Sequence, residues 1–257
     1  MSILFDLEDD VALITINRPE KLNALDPQAY TELSEAWIRV RDDDRIRVAV
    51  ITGAGERAFC VGADVTSTAF RNASLAQFWK TQSEPLLNRG LEIWKPVVAA
   101  VNGYCLGGGM TLLMATDIRV AGEGATFALS EVKRGMIAAN GGTQRVLDQL
   151  PYAIGMEMLL TGTSLDAVAA ARHGLVNRVV PAADVVSEAM SYAHTIAGNA
   201  PLAVQAAKES ALRSRGLPLH DGLRIEQAMA KILMSTADAA EGATAFAEKR
   251  SPRYTGA

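Results

Sequence analysis

Three short segments carry the groups that could do chemistry. Phe59-Cys60-Val61-Gly62-Ala63-Asp64 and Asn102-Gly103-Tyr104-Cys105-Leu106-Gly107-Gly108-Gly109-Met110 each put small residues where an apolar strand ends. Backbone N–H groups at such a point lack an intrahelical partner and can face a ligand. Two of them converging on one oxygen would form an oxyanion hole. A glycine triplet before a helix is more commonly a close-packing device, and spacing alone leaves both uses open. The third segment is Leu129-Ser130-Glu131-Val132-Lys133-Arg134-Gly135. Glu131 follows an apolar strand and precedes a turn, where desolvation would raise its pKa and suit it to acid/base work. Residue type alone favours the plainer alternative, a surface glutamate paired with Lys133 or Arg134.

Other chemistries lack their residues. There is no G-x-S-x-G elbow, no H-E-x-x-H and no Walker loop. His173, His194 and His220 lie far apart and read as surface or helix-end residues. Gly53-Ala54-Gly55-Glu56-Arg57-Ala58 matches G-x-G-x-x-A after a strand, the pattern of a dinucleotide-binding turn. That turn needs a helix directly after it, whereas Phe59 to Asp64 reads as extended and then turning. An ordinary glycine turn is the expectation.

The elements that must position these segments follow from periodicity. Val11–Ile16, Val48–Thr52, Val97–Val101, Asp117–Ala121 and Thr126–Leu129 read as strands. Asp26-Pro27 opens a helix, with Asp as N-cap and Pro at the first helical position. Leu33, Ala36, Trp37 and Val40 then mark its apolar face. The region from Ser67 to about Trp94 is expected to be helical, as is Met110 to Ala115. Ser164 is expected to cap a short helix ending at His173-Gly174. Further helices are expected around 183–197, 201–214, 219–234 and 238–249. Strands alternate with helices to about residue 150, so the class is α/β. No repeat of fixed period is visible.

Composition narrows the class without naming it. The 257 residues are 49% hydrophobic, 21% charged and only 5% aromatic, with a formal net charge of −4. Scattered basic residues and a negative balance argue against a nucleic-acid or membrane-surface binder. Cys60 and Cys105 sit in apolar stretches without CxxC spacing and are expected to be buried free thiols in a reducing cytosol. No apolar run reaches the ~18 residues that span a bilayer. The N-terminus lacks the positive region of a signal peptide, so a cytoplasmic protein is expected.

In register, the motifs resemble the enoyl-CoA hydratase/isomerase (crotonase) family. They run from Asn17-Arg18-Pro19-Glu20-Lys21-Leu22-Asn23-Ala24-Leu25 through Ile51-Thr52-Gly53, Gly62-Ala63-Asp64 and Val101-Asn102-Gly103 with the Gly107–Gly109 triplet. Glu131, Gly141-Gly142-Thr143-Gln144-Arg145, Leu159 with Thr161-Gly162, Gly174-Leu175-Val176 and Phe246-Ala247-Glu248-Lys249-Arg250 complete the series.

The resemblance implies a spiral of ββα units over residues 1–195 and a C-terminal helical oligomerisation region over 196–257. It implies a homotrimer, or a hexamer built as a dimer of trimers. The Ala63 and Gly108 amides would hold the thioester oxygen of an acyl-CoA as it becomes an enolate, with Glu131 as acid/base. Coenzyme A would arrive as part of the substrate, with no separate cofactor and no metal. Lys21, Leu22 and the stretch Ala63, Asp64, Val65 and Thr66 would line its path. Phe246 and Lys249 match a pair that reaches the CoA of a neighbouring subunit, and Lys249 would meet phosphate against the sign of the whole molecule. Phe70, Phe78, Trp79, Met110 and Met136 fall where the family builds its acyl pocket, although ordinary packing is the commoner use of such residues.

One departure bears on the reaction. Family hydratases of fatty acid metabolism use two glutamates, one of them two residues after the glycine triplet. Here that residue is Thr111. A threonine hydroxyl can orient water but is a poor base near neutral pH. A lone acid/base also suits double-bond isomerases, and hydroxycinnamoyl-CoA hydratase-lyases carry a small hydroxyl residue at that position. The Gly141–Arg145 run is typical of the hydratase branch. Ala139-Asn140 stands where dienoyl-CoA isomerases place an Asp, and Asn140 could bond a polar group of the substrate. Hydration of a 2-enoyl-CoA is therefore expected first. Isomerisation, a lyase or hydrolase variant, and a CoA-thioester binder with little catalysis are the alternatives.

Overall fold

A computed structural model describes residues 1–66 and 85–257. Phe70, Phe78 and Trp79 lie outside the described residues, as does most of the helix expected from Ser67 onward. Its expected end is corrected: residues 85–94 form no α-helix, only a 3-10 turn over Leu87–Arg89.

Two sheets are stacked by one winding chain. The larger has strand order β1 (Ile3–Glu8), β2 (Val11–Ile16), β3 (Val48–Gly53), β5 (Val97–Val101), β7 (Ile118–Gly122), β10 (Arg178–Val180). The smaller has order β4 (Ala58–Cys60), β6 (Tyr104–Leu106), β8 (Thr126–Ala128), β9 (Leu165–Asp166). Each coil of the chain therefore lays one strand in each sheet: β3 then β4, β5 then β6, β7 then β8. This is a repeat of structure without a repeat of sequence period, because the links between strands differ in length. The Gly53–Ala58 segment joins β3 to β4 without any helix, so the dinucleotide turn is absent.

The central strands β3 and β5 of the larger sheet are buried on both faces, which explains their Val, Ala and Ile runs. One face meets α1 (Pro27–Asp42) through Leu33, Trp37 and Val40. Asp26 caps α1 as expected, its Oδ1 accepting from Ala29 N at 2.8 Å. On the other face Val48, Val50, Val98 and Val120 pack against Val185, Ala189, Ala193 and Ala197. Small alanines let that helix lie close to the sheet. Among the described residues the remaining helices, in chain order, are α2 (Gly108–Leu113), α3 (Gly142–Gln149), α4 (Tyr152–Thr161), α5 (Ala167–Arg172), α6 (Val185–Ala197), α7 (Pro201–Arg213), α8 (Leu219–Leu233) and α9 (Ala237–Glu248). The α5 cap is Asp166, not Ser164: its Oδ1 accepts from Ala169 N at 2.7 Å. Cys60 and Cys105 are buried free thiols on neighbouring strands, and burial pushes the Cys60 thiol up to about 12. Among the described residues no helix is long and apolar enough to cross a membrane.

Candidate active site

Strands β4, β6 and β8 are parallel neighbours, so their carboxyl ends open on one edge of the smaller sheet. Ala63, Gly108 and Glu131 follow those three ends. Neighbouring strands are about 4.8 Å apart, so three residues just past them are held side by side.

The two amides are brought together by close approach of their loops. A Cβ on Gly62 would meet Gly108 N at 2.5 Å, and one on Gly108 would lie 3.5 Å from Ala63 N. Gly62 also has φ +90°, which side-chain-bearing residues rarely adopt. The Ala63 loop is fixed by a bridge to Leu25: Leu25 N donates to Gly62 O at 2.8 Å and Asp64 N to Leu25 O at 2.9 Å. Neither the Ala63 nor the Gly108 N–H has a protein acceptor among the described residues. Gly108 opens α2, so its amide is an orphan donor at the helix start. The carbonyl of the same peptide unit, Gly107 O, accepts from Thr111 N at 3.0 Å, which fixes that unit in direction. The triplet also serves packing, since a Cβ on Gly109 would strike Cys60 O at 2.1 Å.

Glu131 opens the 3-10 turn Glu131–Arg134, and its carboxyl lies against Gly107: a Cβ there would be 3.5 Å from Oε1. The surface ion pair is overturned. Lys133 Nζ bonds Gly162 O at 2.8 Å, Arg134 turns to Ser130 Oγ at 3.3 Å, and Oε2 of Glu131 is buried without a partner. Burial raises the Glu131 pKa, and its own backbone N–H and the more distant Arg134 charge oppose this weakly. An apolar recess of about 170 Å³, walled by Leu129, Val132 and Leu159, adjoins the carboxyl and supplies that burial.

These groups line one cavity of about 440 Å³, with Leu22, Val65, Thr111, Met136 and Asn140 among its walls. Thr111 is buried, and its hydroxyl has its proton and one of its two lone pairs engaged. It donates to Gly108 O at 2.9 Å and accepts from Asn88 Nδ2 at 3.0 Å. Asp64 is a wall carboxylate held low in pKa, first by the Thr66 hydroxyl and then by Arg18. Lys21 is exposed on the turn before Leu22 and does not line the cavity. Met110 is wholly buried in the core, so its place in an acyl pocket is corrected. Phe246 is 88% exposed on α9 and Lys249 follows that helix; neither lines this chain's cavity. His194 and His220 are exposed, and among the described residues no cluster could hold a metal.

Sequence reasoning missed Asn88, Arg89 and the task of Arg145. Arg89 Nε donates to Asn140 Oδ1 at 3.2 Å, and its guanidinium lies 4.9 Å from the Tyr30 ring centre. Arg145 Nη1 donates to Asn88 O at 3.1 Å and Asn140 O at 3.0 Å. The signal for Arg145 was its place in the Gly141–Arg145 run. Asn88 and Arg89 offered none, since they fell in a segment expected to be helical.

A family model described as enoyl-CoA hydratase/isomerase matches residues 6–257. The chain is similar to the (E)-benzylidenesuccinyl-CoA hydratase of Thauera aromatica, 41% identical over all of both chains. It is similar to the carnitinyl-CoA dehydratase of Proteus mirabilis, 41% identical over 95% of this chain and 94% of that protein. Among solved structures, the enoyl-CoA hydratase from Bacillus anthracis superposes with a TM-score of 0.93 at 35% identity, covering 100% of both chains.

Proposed function

Since the chain belongs to the enoyl-CoA hydratase/isomerase family, we propose that it adds water reversibly to the double bond of a 2-enoyl-CoA thioester. The carrying observation is the pair of orphan amides, Ala63 and Gly108, beside one desolvated carboxyl in a single cavity. Their N–H groups donate to the thioester oxygen. As the water oxygen bonds to the β-carbon, the electron pair of the double bond moves through the α-carbon onto the thioester oxygen and gives an enolate. Glu131 takes the proton released by the water and delivers one to the α-carbon. Losing one such amide typically costs ~3 kcal/mol of transition-state stabilisation.

Thr111 is not the base in this scheme, because its proton is already given to Gly108 O. Its hydroxyl sets the wall beside the reacting carbons. Leu22, Ala63, Asp64, Val65 and Thr66 carry the pantetheine arm of CoA, and Lys21 meets its phosphates. Lys249 and Phe246 serve a neighbouring subunit's CoA. The assembly is a homotrimer or hexamer, supported by large apolar residues left exposed on and after α8: Leu219, Ile232 and Met234.

A second reading rests on a specific observation. Among the described residues Glu131 is the one wall carboxylate without a committed partner, and moving a double bond needs only one group to shuttle a proton. The test is turnover of crotonyl-CoA against a 3-enoyl-CoA. Hydration of the first supports the hydratase; turnover of the second alone establishes the isomerase, and turnover of neither leaves a CoA-thioester binder.

A further inference from the structure

The cavity wall holds a polar group that the proposed hydration does not use. Asn140 is half-buried on that wall, and its backbone carbonyl is held by Arg145 at 3.0 Å. Its side-chain oxygen accepts from Arg89 Nε at 3.2 Å. A guanidinium has donors only, so it must face the amide oxygen. The amide is thereby oriented with Nδ2 turned away from Arg89, and Nδ2 has no protein acceptor among the described residues. Most of the wall around it is apolar: Tyr30, Met136, Ile137 and Ala139.

The charged groups that bond Asn140 are both guanidiniums. Arg89 and Arg145 both bond Asn140, and Arg134 lines the same cavity. Of the two carboxylates on the described wall, Asp64 is paired with Arg18 and Glu131 is the proposed acid/base. An amide donor backed by guanidiniums fits an anionic oxygen.

We propose that Asn140 is a specificity residue, donating from Nδ2 to a second carboxylate on the acyl group of the thioester. The substrate class is then a carboxylated enoyl-CoA, a half-thioester of an unsaturated diacid. This deepens the acyl-thioester reading above and rests on it. The contact adds no step to the reaction; it fixes the acyl group and lowers the energy of the bound carboxylated ester relative to its alkyl counterpart.

The experiment measures binding and turnover separately. Calorimetry compares glutaryl-CoA with pentanoyl-CoA, which differ by carboxylate against methyl. The wild type is expected to bind glutaryl-CoA about tenfold more tightly, the scale of one hydrogen bond to a charged group. Asn140→Gly should bring the ratio of affinities close to one. Glycine suits this position, since Asn140 has φ +56°. Asn140→Asp, which also tolerates that backbone, should reverse the preference by setting carboxylate against carboxylate. Equal wild-type affinities, or a preference that survives both substitutions, would overturn the proposal. Hydration of glutaconyl-CoA is then assayed. Preferential binding without turnover would remove the hydratase reading and keep the recognition role; hydration without preference would do the reverse.

Discussion

Asn88 holds Thr111: the amide Nδ2 donates to the buried hydroxyl at 3.0 Å, and the hydroxyl passes its own proton to Gly108 O. A residue that stands where related hydratases carry a glutamate is therefore spent on structure. Thr111→Val is expected to leave Asn88 Nδ2 buried without a partner, costing about 1–3 kcal/mol of stability. Hydration should fall much less than on loss of Glu131. Thr111→Ser keeps the hydroxyl and should retain both properties. Thermal unfolding and steady-state rates on crotonyl-CoA check this; a collapse of kcat in Thr111→Ser would mean that the methyl, not the hydroxyl, matters.

Glu131→Gln should lower kcat for hydration by about 10²–10⁴, the usual worth of a positioned acid/base. CoA-thioester affinity should stay near wild type, because the amides are untouched. A variant that still turns over at the wild-type rate would remove Glu131 from the reaction.

The same substitution has a signature in stability. The folded-state pKa of Glu131 is raised above its ordinary 4.5 by burial. Relative to the unfolded chain, its favourable contribution is full below 4.5 and is lost as pH rises through the folded value. Glu131→Gln should therefore unfold at a higher temperature than wild type at neutral pH. The gap should close as pH falls toward 4.5. A gap independent of pH would place the carboxyl in water.

Gly62→Ala tests the pairing of the two amides. The added Cβ would sit 2.5 Å from Gly108 N, at a φ of +90°. Separation of the loops should reduce kcat by 10²–10³, comparable with losing one oxyanion donor. Circular dichroism should show a folded chain, since the shift is confined to the loop and the start of α2. Full activity would show that Gly108 N–H is not needed.

Much of this was legible in the residues. The Val and Ala runs of β3 and β5 and the Leu33, Ala36, Trp37, Val40 face of α1 follow directly from burial periodicity. The segments that carry Ala63, Gly108 and Glu131 were legible as strand ends, but the choice of those three residues within them came from the family resemblance and not from local pattern. Partnerships across the chain were not. Asn88 meets Thr111 over 23 positions and Arg145 meets Asn88 over 57, and no local pattern encodes either. The fate of Glu131 was illegible for the same reason: Lys133 is drawn off by Gly162, 29 positions away. The α5 cap was misjudged locally, because Ser164 and Asp166 are both good N-caps and β9 pairing with β8 settles which one starts the helix.

Ala63, Gly108 and Glu131, the groups proposed to react, hang from three successive coils, each past the end of its own short strand. No two of them share a loop. A change at the tip of one coil that avoids the close Gly62–Gly108 contact can leave the strand pairing of the other two intact. New chemistry can thus be sampled one coil at a time, with the thioester still gripped while the group above it is exchanged.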